Sequence, residues 1–80
     1  MKFAKLYERG EDQVLVTACQ TDEGLPCLKF VMYIGEAEVS PEFKYKDGSW
    51  ESRDKAFDLV DEGAAFSLRD SFVKQYGDSL

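Results

Sequence analysis

The residues of this 80-residue chain that could do chemistry are its sixteen acidic side chains and its two cysteines. The chain has no histidine, so the usual general base and the Ser-His and Cys-His arrangements are excluded. No glycine-rich loop could hold a phosphate, and Asp47 to Glu51 lacks the ligand series of a calcium loop. Cys19 and Cys27 alone cannot form a zinc site. The sequence therefore predicts a protein that is not an enzyme and has no metal and no cofactor.

Acidic residues line part of a predicted helix. Asp54, Asp58 and Asp61 are spaced four and three apart, so their carboxylates share one side of that helix. Such a strip could attract a basic partner. Because Arg53 and Lys55 interrupt the negative charge, an ordinary solvated helix face is the simpler interpretation. An acidic docking strip or nucleic-acid mimic is the alternative.

The elements that must position these residues are organised around a predicted β-hairpin from Leu28 to Phe43. From Glu36 to Tyr45 apolar and polar side chains alternate strictly, as in a strand with one buried face. Gly35 suits the first central position of a type II′ turn. A two-residue turn at this point places four apolar pairs on one face: Ile34 with Ala37, Met32 with Val39, Phe30 with Pro41 and Leu28 with Phe43.

The opposite face of the hairpin carries a pair of opposite charges, Lys29 with Glu42, worth roughly 0.2 to 1 kcal/mol. Pro41 has no N–H to donate to a ladder, so the second arm is predicted to be an edge strand or to be bulged there. A slip of one residue would turn every apolar side chain outward. The register is therefore strongly specified.

Two further strands precede the hairpin. The first is predicted from Lys2 to Glu8, and the sequence leaves its inward face open. The second, from Val14 to Gln20, pairs with the hairpin if the intervening loop is centred on Glu23. This register places Cys19 opposite Cys27, at a Cα separation of about 4.5 to 5.5 Å that a disulfide can span. A reduced pair of small side chains is the favoured interpretation, and a redox switch is the alternative.

A first helix follows, because after Tyr45 the apolar period changes from two to about 3.6 residues. Ser49 or Ser52 can cap its N-terminus, and Gly63 can occupy the left-handed position after an end at Glu62. The inner stripe of this helix is predicted to comprise Ala56, Phe57 and Val60, with Trp50 and Leu59 as further candidates.

A second helix is predicted from about Ala64 or Phe66 to Tyr76, where Gly77 stops it. The spacing from Ser67 to Asp70 matches a capping box and marks a later alternative start. Residues three or four apart form its inner stripe, namely Ala65, Leu68, Phe72 and Tyr76.

These elements predict one α+β domain over residues 1–80, with strands within 2–45 and helices within 50–76. The architecture is a four-stranded antiparallel β-meander followed by two C-terminal helices packed on one face, a two-layer sandwich. The predicted core comprises Val14, Val16, Ala18, Leu28, Phe30, Met32, Ile34, Val39 and Phe43 of the sheet with Phe57, Val60, Leu68 and Phe72 of the helices.

The sheet face away from the helices is the candidate binding surface. By strand parity Leu15, Val31 and Tyr33 lie on it. Thr17 and Cys19 lie beside them, with Leu6 or Phe3 according to which way the first strand faces, and the border comprises Lys29, Glu38 and Glu42. A semi-apolar centre with a charged border is typical of a protein interface. A solvent face with a few tolerated apolar side chains is the alternative.

Composition limits the class of partner and the compartment. A net charge of −6 disfavours binding to nucleic-acid phosphates, and 44% hydrophobic residues indicate a folded domain. The first residues lack a signal-peptide pattern, and no stretch is long enough to span a membrane. A cytoplasmic location is therefore predicted.

In size, acidity and strand-strand-strand-strand-helix-helix order, with the opening Met-Lys-Phe-x-Lys, the chain resembles small accessory proteins of bacteriophages and mobile elements, including some anti-CRISPR inhibitors. The resemblance implies an inhibitor or modulator of a host protein. It transfers no functional residues.

The predicted function is binding of a protein partner, through the open sheet face and the acidic helix. One alternative is a nucleic-acid-binding module that uses Tyr33 with Lys29 and Lys44. The other is a structural subunit that forms a homodimer.

Overall fold

The computed structural model describes residues 4–45 and 49–77, with side chains to residue 75. Five strands of one antiparallel sheet precede two helices that pack against the same sheet face, so the α+β class is confirmed. The elements are β1 (Ala4–Arg9), β2 (Asp12–Gln20), β3 (Pro26–Ile34), β4 (Ala37–Val39), β5 (Glu42–Lys44), α1 (Trp50–Leu59) and α2 (Glu62–Gly77).

The hairpin predicted around Gly35 is present in its predicted register. Gly35 has a φ angle of +64°, which the first central position of a type II′ turn requires. The pairs that the structure shows are Ile34 with Ala37, Met32 with Val39, Leu28 with Phe43 and Lys29 with Glu42.

The predicted fourth strand is divided at Pro41 into β4 and β5, which both pair with β3. Pro41 cannot donate a hydrogen bond, but its carbonyl accepts one from the Phe30 N–H at 2.9 Å. The register is therefore the same on both sides of the break, and the arm is an interrupted edge strand.

The pairing of β2 with β3 also has the predicted register, centred on Glu23. Val14 lies opposite Met32, and Cys19 lies opposite Cys27. The two cysteines form a disulfide, with Cα atoms 5.1 Å apart. The expectation of a reduced pair is therefore wrong. The predicted register showed that a disulfide could span the pair, and the sequence holds no further signal for its oxidation state.

β1 turns Lys5 and Tyr7 toward the helices, which settles the face that the sequence left open. Nζ of Lys5 donates to the carbonyl oxygens of Phe57 at 2.6 Å and Val60 at 3.3 Å, and it lies 4.5 Å from the centroid of the Phe57 ring. The Tyr7 hydroxyl donates to the Val60 carbonyl at 3.0 Å. Carbonyls at a helix C-terminus carry partial negative charge and have few main-chain donors. β1 therefore caps the end of α1.

Replacing Tyr7 with phenylalanine is expected to lower the free energy of unfolding by about 0.5 to 1.5 kcal/mol. The ring is kept and only the donor to Val60 is removed, so chemical denaturation of the two proteins measures this hydrogen bond. Tyr33→Phe is the matched control, because Tyr33 is exposed on the opposite face. Equal losses in the two variants would contradict the capping role of Tyr7.

α1 begins as predicted and ends early. Ser49 is the N-cap, since its Oγ accepts a hydrogen bond from the Ser52 N–H at 3.2 Å. The helix ends at Leu59, short of the predicted Glu62, and Val60 follows in an extended conformation. This sharp exit brings the Val60 carbonyl within reach of β1.

α2 begins at Glu62, earlier than predicted. The side chain of Asp61 accepts a hydrogen bond from the Ala64 N–H at 2.8 Å and so caps the helix. Gly63 lies in the first turn of α2, so its predicted role at the end of the first helix is wrong. Ser67 lies inside α2, and the capping box proposed there does not start the helix.

The core lies between the sheet and the helices. Phe66 is 2% exposed and occupies its centre, whereas the predicted core residue Phe43 is exposed on the edge strand β5 and packs edge-on against Phe30. Leu59 is 80% exposed and is not part of the inner stripe, and the side chain of Tyr76 lies outside the described residues. The buried cluster comprises Val14, Val16, Leu28, Phe30, Met32, Val39, Phe57, Ala65 and Phe66, with Ala18, Ile34, Val60, Leu68 and Phe72 partly buried against it.

Candidate functional site

A row of apolar side chains crosses the sheet face that the helices leave open. In the strand register Leu6 lies opposite Leu15, and Leu15 lies opposite Val31. Side chains directly opposite each other on one face have Cβ atoms about 4.5 to 5.5 Å apart, so the three form a continuous strip. We call Leu6, Leu15 and Val31 the apolar row.

The apolar row is open to solvent. Leu6 is 55% exposed, and Leu15 and Val31 are half-buried. Tyr33 lies two residues beyond Val31 on the same face and is 60% exposed. The structure therefore brings together Leu15, Val31 and Tyr33 as the sequence predicted. It also places Leu6 on this face, which was one of the two alternatives that the sequence left open for the first strand.

Polar and charged residues border the apolar row on both sides. Lys29 lies between Thr17 and Glu42 in the register, and its carbonyl accepts a hydrogen bond from the Thr17 hydroxyl at 3.3 Å. On the other side Tyr33 lies opposite Glu38. An apolar centre within a border of mixed charge is the composition of a protein interface.

Beyond Lys29 the open face ends in a polar cleft of about 410 Å³. The cleft is lined by the Cys19–Cys27 disulfide, by the loop that joins β2 to β3, and by Glu42 and Lys44. Both signs of charge are present in this lining, so the cleft selects neither a cation nor an anion.

The acidic residues predicted to act with the open face lie in the helical layer. Asp54 forms an ion pair with Arg53 at 2.8 Å, Asp61 caps α2, and Asp58 is exposed on α1. α1 packs against the opposite face of the sheet from the apolar row. The two predicted groups of residues therefore do not form one surface.

Arg53 is a buried cation on α1, 6% exposed, that sequence reasoning missed. Its guanidinium donates to the Cys19 carbonyl at 2.7 Å and to Asp54 at 2.9 Å, and its Cζ lies 5.2 Å from the centroid of the Trp50 ring. Arg53 thus ties α1 to the end of β2 beside the disulfide. Arg53 and Phe57 are four residues apart, which places both on one helix face. This spacing was the sequence signal that could have indicated a buried Arg53.

Within residues 4–45 and 49–77, no three Cys, Asp or Glu side chains converge in the manner of metal ligands. In the same part of the chain, neither helix combines the length and the apolar character needed to cross a membrane. Comparison of the chain with protein-family models, with curated proteins and with solved structures gave no match.

Proposed function

We propose that this protein binds another protein through its open sheet face and acts on it as a non-enzymatic inhibitor or modulator. The observation that supports this proposal is the apolar row, in which Leu6, Leu15 and Val31 lie side by side on a solvent-facing surface. The core is on the other face of the sheet, so core packing does not explain them. Full burial of one such side chain is worth roughly 1.5 to 3 kcal/mol. A partner that covers the row gains a part of this energy, mainly from Leu6 at 55% exposure, because Leu15 and Val31 are already half-buried.

Tyr33 is the proposed anchor of the interface. Its ring is 60% exposed at the end of the apolar row, and tyrosine is enriched among the residues that dominate binding energy. The ring buries a large area and has few rotatable bonds to immobilise. Glu38 and Lys29 on the border would orient the partner through charge pairs rather than add much affinity.

The net charge of −6 favours a partner with a basic surface around its apolar contact. Asp54, Asp58 and Asp61 contribute to that charge from the helical layer, without touching a partner on the open face. Their effect would be a faster encounter, which salt screens over a Debye length of about 8 Å at physiological ionic strength.

A nucleic-acid partner is less well supported by the same surface. Tyr33 could stack on a base and Lys29 could contact a phosphate. However, Glu38 lies directly opposite Tyr33, and Glu42 lies directly opposite Lys29, so each contact would bring a phosphate close to a carboxylate. Titration with single-stranded oligonucleotides at low salt is expected to show no binding, and salt-sensitive binding would favour this alternative.

Replacing Val31 with glutamate is expected to weaken partner binding by at least about 10-fold, because a carboxylate in the middle of the apolar row loses its water on contact. The wild-type protein is immobilised to capture the partner from a lysate of the organism that encodes it. The affinity of the purified partner for wild type and variant is then measured by biolayer interferometry.

Leu59→Glu is the matched control for this experiment. Leu59 is a more exposed apolar residue, at 80%, and it lies on α1 in the other layer. The control is expected to bind as wild type. Equal affinity of the wild type and Val31→Glu would show that the apolar row is not the binding surface.

We propose a cytoplasmic location for the protein. The Cys19–Cys27 disulfide is an observation against it. Cytosolic thiol systems keep most protein cysteines reduced. Alkylation of thiols in intact cells, followed by mass measurement of the protein, decides the point. Two alkylated cysteines per chain would support the cytoplasm, and none would support an oxidising compartment.

A further inference from the structure

β1 is an edge strand with features that favour pairing. In the part of the chain that the structure describes, its only ladder is with β2. It has six residues without proline, whereas the other edge is divided at Pro41 into two strands of three residues. Short, interrupted edges resist pairing with another chain, and longer continuous edges invite it.

The free hydrogen-bonding groups of β1 follow from the alternation of the ladder. The Phe30 N–H donates to the Pro41 carbonyl. Even-numbered residues of β3 therefore form main-chain hydrogen bonds with the β4 and β5 side, and odd-numbered residues form them with β2. Odd-numbered residues of β2 therefore hydrogen-bond to β3, and its even-numbered residues Val14 and Val16 hydrogen-bond to β1. Their partners in β1 are Tyr7 and Lys5, so these two residues form the main-chain hydrogen bonds to β2. The main-chain N–H and C=O groups that point away from the sheet are those of Ala4, Leu6 and Glu8.

Among the registers centred on a residue from Lys5 to Glu8, a second copy of the chain fits this edge in one. A two-fold axis normal to the sheet pairs β1 with β1 of the second copy, antiparallel, and keeps each sheet face continuous. Registers centred on Lys5, on Tyr7 or on Glu8 place like charges directly opposite, which is destabilising. The register centred on Leu6 avoids them: it pairs Leu6 with Leu6, Ala4 with Glu8 and Lys5 with Tyr7.

We propose that the protein forms a homodimer through antiparallel pairing of β1 with β1 of a second copy, in the register centred on Leu6. The two sheets become one, and the free groups of Ala4, Leu6 and Glu8 are all paired. Because Leu6 is the outer member of the apolar row, the rows of the two copies join end to end at Leu6. The dimer thus presents a strip of twice the length, and this continuity favours a second copy over an unrelated strand.

This inference concerns the edge of the sheet and does not depend on the proposed partner of the open face. Dimerisation is measured with the purified protein alone. Absence of a partner would therefore not contradict the dimer, and absence of the dimer would not contradict the partner.

Sedimentation equilibrium at several concentrations in 0.15 M salt tests the proposal. Wild type is expected to be in monomer–dimer equilibrium, and Glu8→Pro is expected to raise the dissociation constant by at least about 10-fold. This substitution removes an N–H that points away from β2, so it deletes two intermolecular hydrogen bonds per dimer. Circular dichroism verifies that the variant monomer is folded.

Glu38→Pro is the matched control. Ala37 and Val39 lie opposite Ile34 and Met32, the even-numbered residues of β3 whose main-chain groups hydrogen-bond toward β4. By the same alternation the N–H of Glu38, between them, points away from the sheet at the opposite edge. This control is expected to dimerise as wild type. A wild type that stays monomeric at all concentrations, or equal weakening by both prolines, would overturn the proposal.

Cysteine cross-linking tests the register. In the proposed dimer two copies of Leu6→Cys have Cα atoms about 5.5 Å apart, within the range of a disulfide. Two copies of Ala4→Cys are four positions out of register, on the order of 13 Å. Oxidation followed by peptide mapping is expected to find the intermolecular link in Leu6→Cys alone. A link through position 4, or none through position 6, would overturn the register.

Discussion

Replacing Phe66 with alanine is expected to lower the free energy of unfolding by about 3 to 5 kcal/mol. The ring is 2% exposed and lies in the cluster that joins α2 to the sheet, so truncation leaves a cavity that the rigid sheet cannot fill. Cζ of Arg9 lies 4.5 Å from the ring centroid, and a cation–π contact of this kind is worth roughly 0.5 to 1 kcal/mol at an exposed site. The loss is a large fraction of the stability of a small domain.

Equilibrium unfolding in urea, followed by far-ultraviolet circular dichroism, measures this loss. Phe43→Ala is the matched control, because it makes the same deletion at a phenylalanine that is exposed on β5. Phe43→Ala is expected to lower the free energy of unfolding by less than half as much as Phe66→Ala. Equal costs at the two positions would contradict the central place of Phe66 in the core.

The sheet could be predicted in detail because its signals are local and repeat along the chain. Alternation from Glu36 to Tyr45 identifies the buried face, and Gly35 identifies the turn. Together they assign a partner to each residue of the hairpin, and those assignments agree with the structure. The missing N–H of Pro41 also indicated where the edge strand would be interrupted.

The helix boundaries could not be predicted as well, because two competing end signals stand within three residues. Gly63 suits the end of a helix, and Asp61 suits the start of one. Tertiary packing decides between them. A start at Glu62 turns Phe66 into the core beside Ala65, and the predicted inner stripe included Ala65 but not Phe66.

The candidate site was predictable to the extent that it depends on strand parity. Leu15 and Val31 could be assigned to the open face, but Leu6 could not, since its orientation depends on which way Lys5 points. Lysine is ordinarily placed in water. Here the carbonyls at the end of α1 accept its hydrogen bonds. The sequence of β1 does not indicate that these acceptors lie nearby.

Charged groups on the helix side of the sheet are used by the fold itself. Arg9 pairs with Glu62 at the start of α2 at 2.9 Å, and Arg69 pairs with Asp12 at 3.1 Å, while Lys5 caps α1. These contacts join the helices to β1 and β2. The apolar row makes no contact of this kind, so substitutions on it are expected to change binding more than stability.

Reduction of the Cys19–Cys27 disulfide is expected to lower the free energy of unfolding by about 2 to 3 kcal/mol. The two cysteines are separated by 8 residues along the chain, and closing so short a loop in the unfolded chain accounts for a value near the lower end of the usual range. The bond also holds the end of β2, where the Cys19 carbonyl accepts a hydrogen bond from Arg53 at 2.7 Å. Urea unfolding with and without a phosphine reductant measures the difference.

The double variant Cys19→Ala/Cys27→Ala is the control, and its stability is expected to be the same with and without reductant. Two free thiols in the native, air-oxidised wild type would contradict the disulfide. The measurement also constrains the cytoplasmic proposal, because in a reducing compartment the protein must function without this bond. If the reduced wild type is unfolded at 37 °C, the protein can act only where its disulfide persists, and the cytoplasmic proposal fails.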